Sequence, residues 1–492
     1  MRTAILTLAL ALIAATPALA ADSAPTLANG HFDCGRDIVR TARLDLLPEI
    51  AMQPRQKTMA RRATTIILDA QPGLAGNPQA LAAWNDAVAL WESVLNDNVT
   101  ITIKGDLQAL PAGVLGSTSS SLWSAGHDGV RTQMVADAAF DETILSSLPT
   151  AAQLNYDLQN SPAGFSYGPN ITGSKAALRA LGFDMSFDDP NPDGTITFST
   201  GFLAQFDFDP TDGITPGKID FFAVVVHEIG HALGFNSEVD TVDYFIDNTD
   251  SEFWPHTSWP YLLDLFRLAP GAGAANFTSA TRILTAGNEN AAQTFYDGIT
   301  ERRLSTGRSN GDGNQASHWR ADEISGITIG IMDPTLSSGQ MGKLTNSDLR
   351  LFGLIGWDVT LLDDCNGNDI GDQFDIWDGD SEDFNLNGVP DECEATDAPV
   401  NRFARVTIAP NPFNPRTEIR LELGQDASAR IDVYDLAGRH IANLADRSYG
   451  AGEHSVIWEG KDATGRAVSS GVYFVMVDID GEVQQHKVAL VR

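Results

Sequence analysis

The chain carries 3 cysteines in 492 residues, far too few for a disulfide scaffold, so its stability has to come from packed cores. It is equally poor in positive charge, with 32 Lys and Arg against 65 Asp and Glu and a formal net charge of −33. A surface of that sign repels a phosphate backbone, which argues against nucleic acid as a partner. No segment beyond the N-terminus approaches the roughly 18 consecutive apolar residues of a membrane helix, so no transmembrane anchor is expected. What is present is an ordinary globular composition, 43% hydrophobic, over a length suited to about three folding units of roughly 150 residues each.

Residues 1–20 combine Arg2, an apolar run from Ala4 to Ala15 and the small-residue pattern Ala18-Leu19-Ala20. This is a secretory signal peptide, and the mature chain is expected to be soluble, monomeric and either secreted or held at the cell surface. Residues 21–62 lack periodicity and end in a basic cluster of Arg55, Lys57, Arg61 and Arg62, as expected of a propeptide or leader.

The chemistry centres on His227-Glu228-Ile229-Gly230-His231-Ala232-Leu233-Gly234-Phe235. Apolar Phe221 to Val226 leads into this stretch and Gly234 follows it, which predicts a buried helix ended by a residue that tolerates positive φ. His227 and His231 then share one face, where two neutral imidazoles can bind Zn²⁺. Glu228 is placed to take a proton from the metal's water. The bland alternative is a core helix that happens to carry two histidines.

Around this motif the pattern alternates strands and helices. Thr64 to Leu68 and Val99 to Lys104 read as strands on either side of a helix capped by Asn77 and opened by Pro78. Leu81, Trp84, Val88, Trp91 and Leu95 form its apolar stripe. Residues 105–190 give no clear elements. Thr195 to Ser199 and Phe202 to Phe208 are expected to be strands, Tyr261 to Leu268 a short helix, and Thr345 with Asp348 the start of a last helix.

The H-E-x-x-H-x-x-G pattern resembles the metzincin clan of zinc metallopeptidases, in which a third His follows the Gly by three residues. Ser237 stands at that position here, and a hydroxyl is a poor zinc ligand. The order of HExxHxxGF, a long insertion, Ser317-His318-Trp319 and then Gly330-Ile331-Met332-Asp333-Pro334 resembles leishmanolysin. That resemblance implies an α+β zincin catalytic domain over residues 63–360, Met332 in the Met-turn beneath the metal, and an edge strand that pairs with an extended peptide substrate. It also implies His318 as third ligand. Apart from that resemblance, His256 is the other downstream histidine of the unit, and Glu252 is a candidate if the site follows the Glu-ligand zincins. Cys34-Gly35-Arg36-Asp37 faintly resembles the cysteine switch of matrix metallopeptidases, although an incidental cysteine is the plainer reading. The activity implied is that of a secreted zinc endopeptidase. Its rival is a catalytically silent calcium-binding surface or adhesion protein that keeps the helix as structure.

Residues 361–397 contain an internal repeat. Asp364, Asn366, Asn368, Asp372 and Asp375, and then Asp383, Asn385, Asn387, Asp391 and Glu394, place oxygen ligands at positions 1, 3, 5, 9 and 12 of two loops, the spacing that wraps Ca²⁺. Asp369 stands where that motif has Gly, and flanking helices are not evident. The repeat resembles thrombospondin type 3 or dockerin loops, with Cys365 and Cys393 as a candidate disulfide.

Residues 398–492 show short alternating strands from Glu418, Ala429, Ser455 and Val472, with turns at Gly438 and Gly465. This is the pattern of an all-β Ig-like sandwich. Pro410-Asn411-Pro412-Phe413-Asn414-Pro415, Val433 to Arg439 and Ser470 to Phe474 are similar to the C-terminal sorting domains of type IX secretion cargo. That similarity implies export or sorting machinery as a partner beside the peptide substrate.

Overall fold

The computed structural model describes residues 31–33, 64–139, 141–157, 162–250, 254–285, 293–384, 387–394, 404–423, 426–435, 438–479 and 482–492. Residues 1–20, Cys34, Glu252 and Asn385 lie outside them. The chain divides into two compact units, Met1–Ser381 and Glu382–Arg492. The division falls inside the expected 361–397 linker, between its two repeats. The reason is a helix absent from the sequence reading, Asp372–Asp378, which buries Phe374 in the core of the first unit. Lys343 adds ion pairs to Asp378 at 2.7 Å and Asp380 at 2.9 Å.

The first unit is built on a mixed sheet in the order Thr65–Ala70, Thr100–Gln108, Gly194–Ser199, Gly116–Ser120, the last strand antiparallel to its neighbour. A parallel pair needs a crossover. Pro78–Val94 supplies the first one, with the Asn77 side chain accepting from the Ala80 amide. Its buried face is Ala80, Ala83, Trp84, Ala87, Leu90, Trp91 and Val94, rotated from the expected stripe so that Leu81 and Val88 are only half-buried. The small alanines let the helix lie close to its neighbours, a role that counting large apolar residues overlooks.

Phe221–Leu233 is buried at every position, as an all-round apolar helix must be. The Asp220 side chain caps it, and Gly234 ends it at φ 125°. A Cβ on Gly234 would sit 3.1 Å from the Ala177 side chain, so conformation and space both call for glycine there. Two indoles fasten the helix. Trp91 Nε1 donates to the Val226 carbonyl at 3.1 Å and Trp357 Nε1 to that of Leu233 at 3.0 Å.

The strand expected over Phe202 to Phe208 shrinks to Phe206–Asp207, because Phe206 and Phe208 pack on Phe221 at the start of this helix. Within the insertion, Tyr261 to Leu268 forms a 3-10 turn, Leu263–Phe266, and then a strand, Arg267–Leu268. That strand opens a three-stranded antiparallel sheet with Gln293–Tyr296 and Glu301–Leu304.

The second unit has two antiparallel sheets. One is Ala404–Ala409, Thr417–Leu423 and Gly452–Trp458; the other runs His440–Tyr449, Ala427–Asp435, Gly471–Ile479, Glu482–Leu490. Ile419, Leu421, Ile431, Val433, Trp458, Val475 and Val477 share one core among the described residues. His440–Tyr449 has no sequence signature, because it lacks alternation and its ladder carries irregularities beside Asp432 and Tyr434.

Trp91 is fully buried, donates to the metal-motif helix and meets Phe352 edge-on at 5.0 Å. Trp91→Ala is therefore expected to destabilise the first unit by about 3–5 kcal/mol. Denaturant unfolding followed by tryptophan fluorescence checks this, and a loss below about 1 kcal/mol would contradict the packing described.

Candidate metal centre

His227, His231 and His318 converge from two distant segments and are all buried. Their Nε2 atoms form a triangle with edges of 3.1, 3.2 and 3.2 Å. The opposite nitrogens decide what these contacts are. His227 Nδ1 donates to the Ile331 carbonyl at 2.7 Å, His231 Nδ1 to that of Phe235 at 2.9 Å, and His318 Nδ1 to that of Gln315 at 3.2 Å. A neutral imidazole that donates through Nδ1 presents a lone pair at Nε2, so three acceptors face one another. Burial favours the neutral form. It pushes the pKa of His227 down to about 3 and that of His231 to about 4, and burial together with the two neighbouring imidazoles holds His318 well below its usual value. Such a group fits a divalent cation, since tetrahedral nitrogens at Zn–N distances of about 2.0–2.1 Å lie roughly 3.3 Å apart.

Beneath the histidines, Met332 is fully buried. Gly230 makes room for it, since a Cβ there would lie 2.5 Å from the Met332 sulfur. The turn is held by Asp348, a residue read from sequence only as part of a helix start. Its carboxylate accepts from Trp319 Nε1 at 2.7 Å, from the amide of Ile331 at 2.8 Å and from that of Met332 at 3.4 Å. It also closes the capping box with Thr345 on the helix Asn346–Leu354. Burial lifts its pKa to about 6 against the pull of these donors.

His318 arrives on a loop tied down from the insertion. Its carbonyl accepts from Ser305 N at 3.0 Å. Arg267, fully buried, donates to the carbonyls of Ser305 at 2.9 Å and of Ala316. The Asp240 carboxylate takes the amides of Arg308 and Ala316, each at 2.7 Å. Ser237, three residues past Gly234, receives the loop: its amide donates to Ser317 Oγ at 3.1 Å and its hydroxyl to Asp264 at 2.7 Å. No spacing rule points to Arg267 or Asp240. His256 stands apart, stacked on Phe245 with ring centroids 3.5 Å apart.

Glu228 is buried beside the sheet's edge strand, Gly116–Ser120, which falls in the stretch that gave no clear elements. Thr118 Oγ1 lies 2.6 Å from Glu228 Oε2 and 2.9 Å from its carbonyl, and Ser120 Oγ donates to the His231 carbonyl at 2.9 Å. On the other side of His227 a small hollow is lined by Val224, Ile331, Leu336 and Met341. Thr335–Ser337, along its rim, pairs antiparallel with His31–Asp33.

The first acidic repeat folds as a loop around Asp375. Asn366 Nδ2 and Asn368 Nδ2 reach Asp375 Oδ2 at 3.0 and 2.9 Å, and Asp372 Oδ1 accepts from the Cys365 amide. Asp364 takes the amides of Gly367, Asn368 and Asp369. In the second repeat Asp383 likewise accepts from Asn387 and Gly388, and Asn387 Nδ2 lies 2.6 Å from Glu394. Burial and the charges of Glu394 and Asp383 raise the pKa of Asp391. Cys365 and Cys393 are both disulfide-bonded.

No protein-family model matches the chain, and no curated protein does. Among solved structures it is similar to dimeric latent PorU from Porphyromonas gingivalis, at 21% identity over 18% of this chain and 9% of that one, with a TM-score of 0.17. It is also similar to PorZ, a surface component of the type IX secretion system of the same organism, at 24% identity over 18% and 11% of the two chains, with a TM-score of 0.14. FlgD from P. aeruginosa is matched at 24% identity over 18% of this chain and 75% of that one, with a TM-score of 0.14. The matched stretch covers far less than two thirds of either P. gingivalis protein. Among the described residues no helix is long and apolar enough to cross a membrane.

Gly230→Ala is expected to displace Met332 and loosen the histidine triangle, weakening metal binding by at least about tenfold, the scale of lost outer support. Competition against a chromogenic chelator measures it. An unchanged affinity would show that the Met332 contact does not support the site.

Proposed function

We propose that the protein is a secreted zinc endopeptidase of the metzincin type, with His227, His231 and His318 as ligands and Glu228 as general base. The observation that carries this reading is the convergence of three lone pairs in a buried pocket whose helix also bears a buried carboxylate. Zn²⁺ held there would polarise the scissile carbonyl and acidify a water. Glu228 takes the proton of the attacking water and passes it to the leaving amine. Thr118 holds that carboxylate, and the strand that carries it offers a sheet edge for an extended peptide. The leader strand at His31–Asp33, lying on the rim of the hollow beside His227, supports its reading as a propeptide.

In the same reading the two acidic loops bind Ca²⁺, and the two-sheet C-terminal unit is an Ig-like module for sorting or attachment by export machinery. PorU and PorZ resemble too small a part of the chain to add to this.

Glu228→Gln is expected to lower peptide turnover by at least about 100-fold while zinc stays bound, the size of a lost general base. Cleavage of a broad peptide library by the zinc-loaded mature protein, with metal content measured alongside, tests it. A wild-type protein that binds zinc and cleaves nothing supports the silent surface protein instead. His318→Ala should abolish zinc binding and turnover, whereas His256→Ala should retain both; the opposite pattern, read by the same two assays, overturns the ligand set.

A further inference from the structure

The first acidic loop is built into the support of the histidine centre. Asp375 is fully buried, and its Oδ1 has no hydrogen-bond partner although Oδ2 faces the amides of Asn366 and Asn368. A buried carboxylate oxygen left without a donor is costly and marks a place for a cation. Which end of an Asn amide faces inward follows its partners. With Ca²⁺ in the loop, both amides turn their oxygens toward the ion and join Asp364, Asp372 and Asp375 in an oxygen cage.

The loop's sixth position explains what such an ion would control. Asp369 adopts φ 75°, the left-handed conformation that Gly388 takes at φ 81° in the second repeat. A side chain in that region costs about 1–2 kcal/mol. Here it gains partners on the neighbouring helix. The Asp369 carboxylate accepts from the Ser347 amide at 3.1 Å and from the Ser347 hydroxyl, and lies 3.4 Å from both Arg302 and Arg350. Its carbonyl accepts from the Asn346 amide at 2.9 Å, and Ile370 bridges to Thr345. Those residues are the N-terminus of the Asn346–Leu354 helix, whose Asp348 holds Trp319, Ile331 and Met332. Ile331 in turn orients His227, and Trp319 follows His318. On the loop side, Asp364 Oδ2 accepts from the Asp369 amide at 2.8 Å, so a group facing the ion also fixes Asp369. Phe374 and Trp377, on the helix that carries Asp372 and Asp375, add a packed route, with Trp377 edge-on to Phe222 of the metal-motif helix at 6.2 Å.

We propose that Ca²⁺ in the 364–375 loop controls the metal affinity of the His227, His231 and His318 centre, through Asp369 and the N-terminus of the Asn346–Leu354 helix. This rests on the reading of the triad as a metal centre and of the loop as a calcium site. Ca²⁺ holds Asp369 docked; its removal lets carboxylates crowded in the loop repel one another, and the clamp on the Met332 turn loosens.

The test uses the full mature chain and needs no catalysis. Co²⁺ placed in the triad reports by its visible absorption, its affinity is measured with and without Ca²⁺, and calorimetry measures Ca²⁺ binding to the Co²⁺-loaded and metal-free protein. Ca²⁺ is expected to tighten Co²⁺ binding by about tenfold, within the usual range of coupling between sites, and Co²⁺ must tighten Ca²⁺ binding by the same factor. Asp369→Gly suits the loop conformation, so it should keep Ca²⁺ binding but lose the effect on Co²⁺. Asp375→Asn should lose both, and Asp383→Asn in the second repeat should leave the coupling intact. Binding of both ions without mutual influence overturns the coupling while both sites stand. Absence of Ca²⁺ binding overturns it at the loop, and absence of Co²⁺ absorption overturns it together with the metal-centre reading.

Discussion

Three acceptor nitrogens held within hydrogen-bonding distance, with no proton to share, are the constraint on which the first unit depends. Each imidazole is locked into this tautomer by a backbone carbonyl, those of Ile331, Phe235 and Gln315. The carbonyls belong to the Met332 turn, the end of the metal-motif helix and the loop before His318. Lone pairs so arranged repel one another unless a cation lies between them, so the surrounding packing has to hold the rings in place against that repulsion. Rigid supports are therefore expected around them, and the structure supplies indoles on the helix carbonyls, a buried carboxylate on the turn and a buried guanidinium on the loop.

Ser237 helps fix where the distant His318 loop returns to the helix that carries His227 and His231. The chain leaves the helix at Gly234 and passes Ser237, which anchors the returning loop through Ser317. The same serine binds Asp264, and Asp264 lies 3.4 Å from Arg267 Nε. The segment between His231 and His318 thus carries the polar groups that fasten it.

The metal-motif helix was legible in the sequence because a buried apolar helix with a Gly exit leaves a dense local pattern, and the Asn77 and Thr345 caps were legible for the same reason. The Gly116–Ser120 edge was not, since a strand of Gly, Ser and Thr has no apolar alternation and is defined by its pairing and by contacts to Glu228 and His231. Asp348 was readable as a cap but not as the clamp of a turn, because Ile331 and Met332 reach it only in the folded chain. Arg267 and Asp240 left no local signal of this role, because the loop carbonyls and amides they hold lie about 40 to 80 residues away. The Asp372–Asp378 helix was not legible because it is short and acidic, and its stability comes from burying Phe374 rather than from its own propensity.

The distance of His318 along the chain, 87 residues beyond His231, bears on when the site can exist. Two imidazoles one helical turn apart are a weak chelate, and the third donor arrives only after the insertion has closed a long loop against its conformational entropy. Formation of the complete triangle therefore belongs to the late, nonlocal part of folding. On the proposed reading, a nascent or partly unfolded chain would offer a metal only the two imidazoles of its helix, and tight binding would begin with the completion of the first unit.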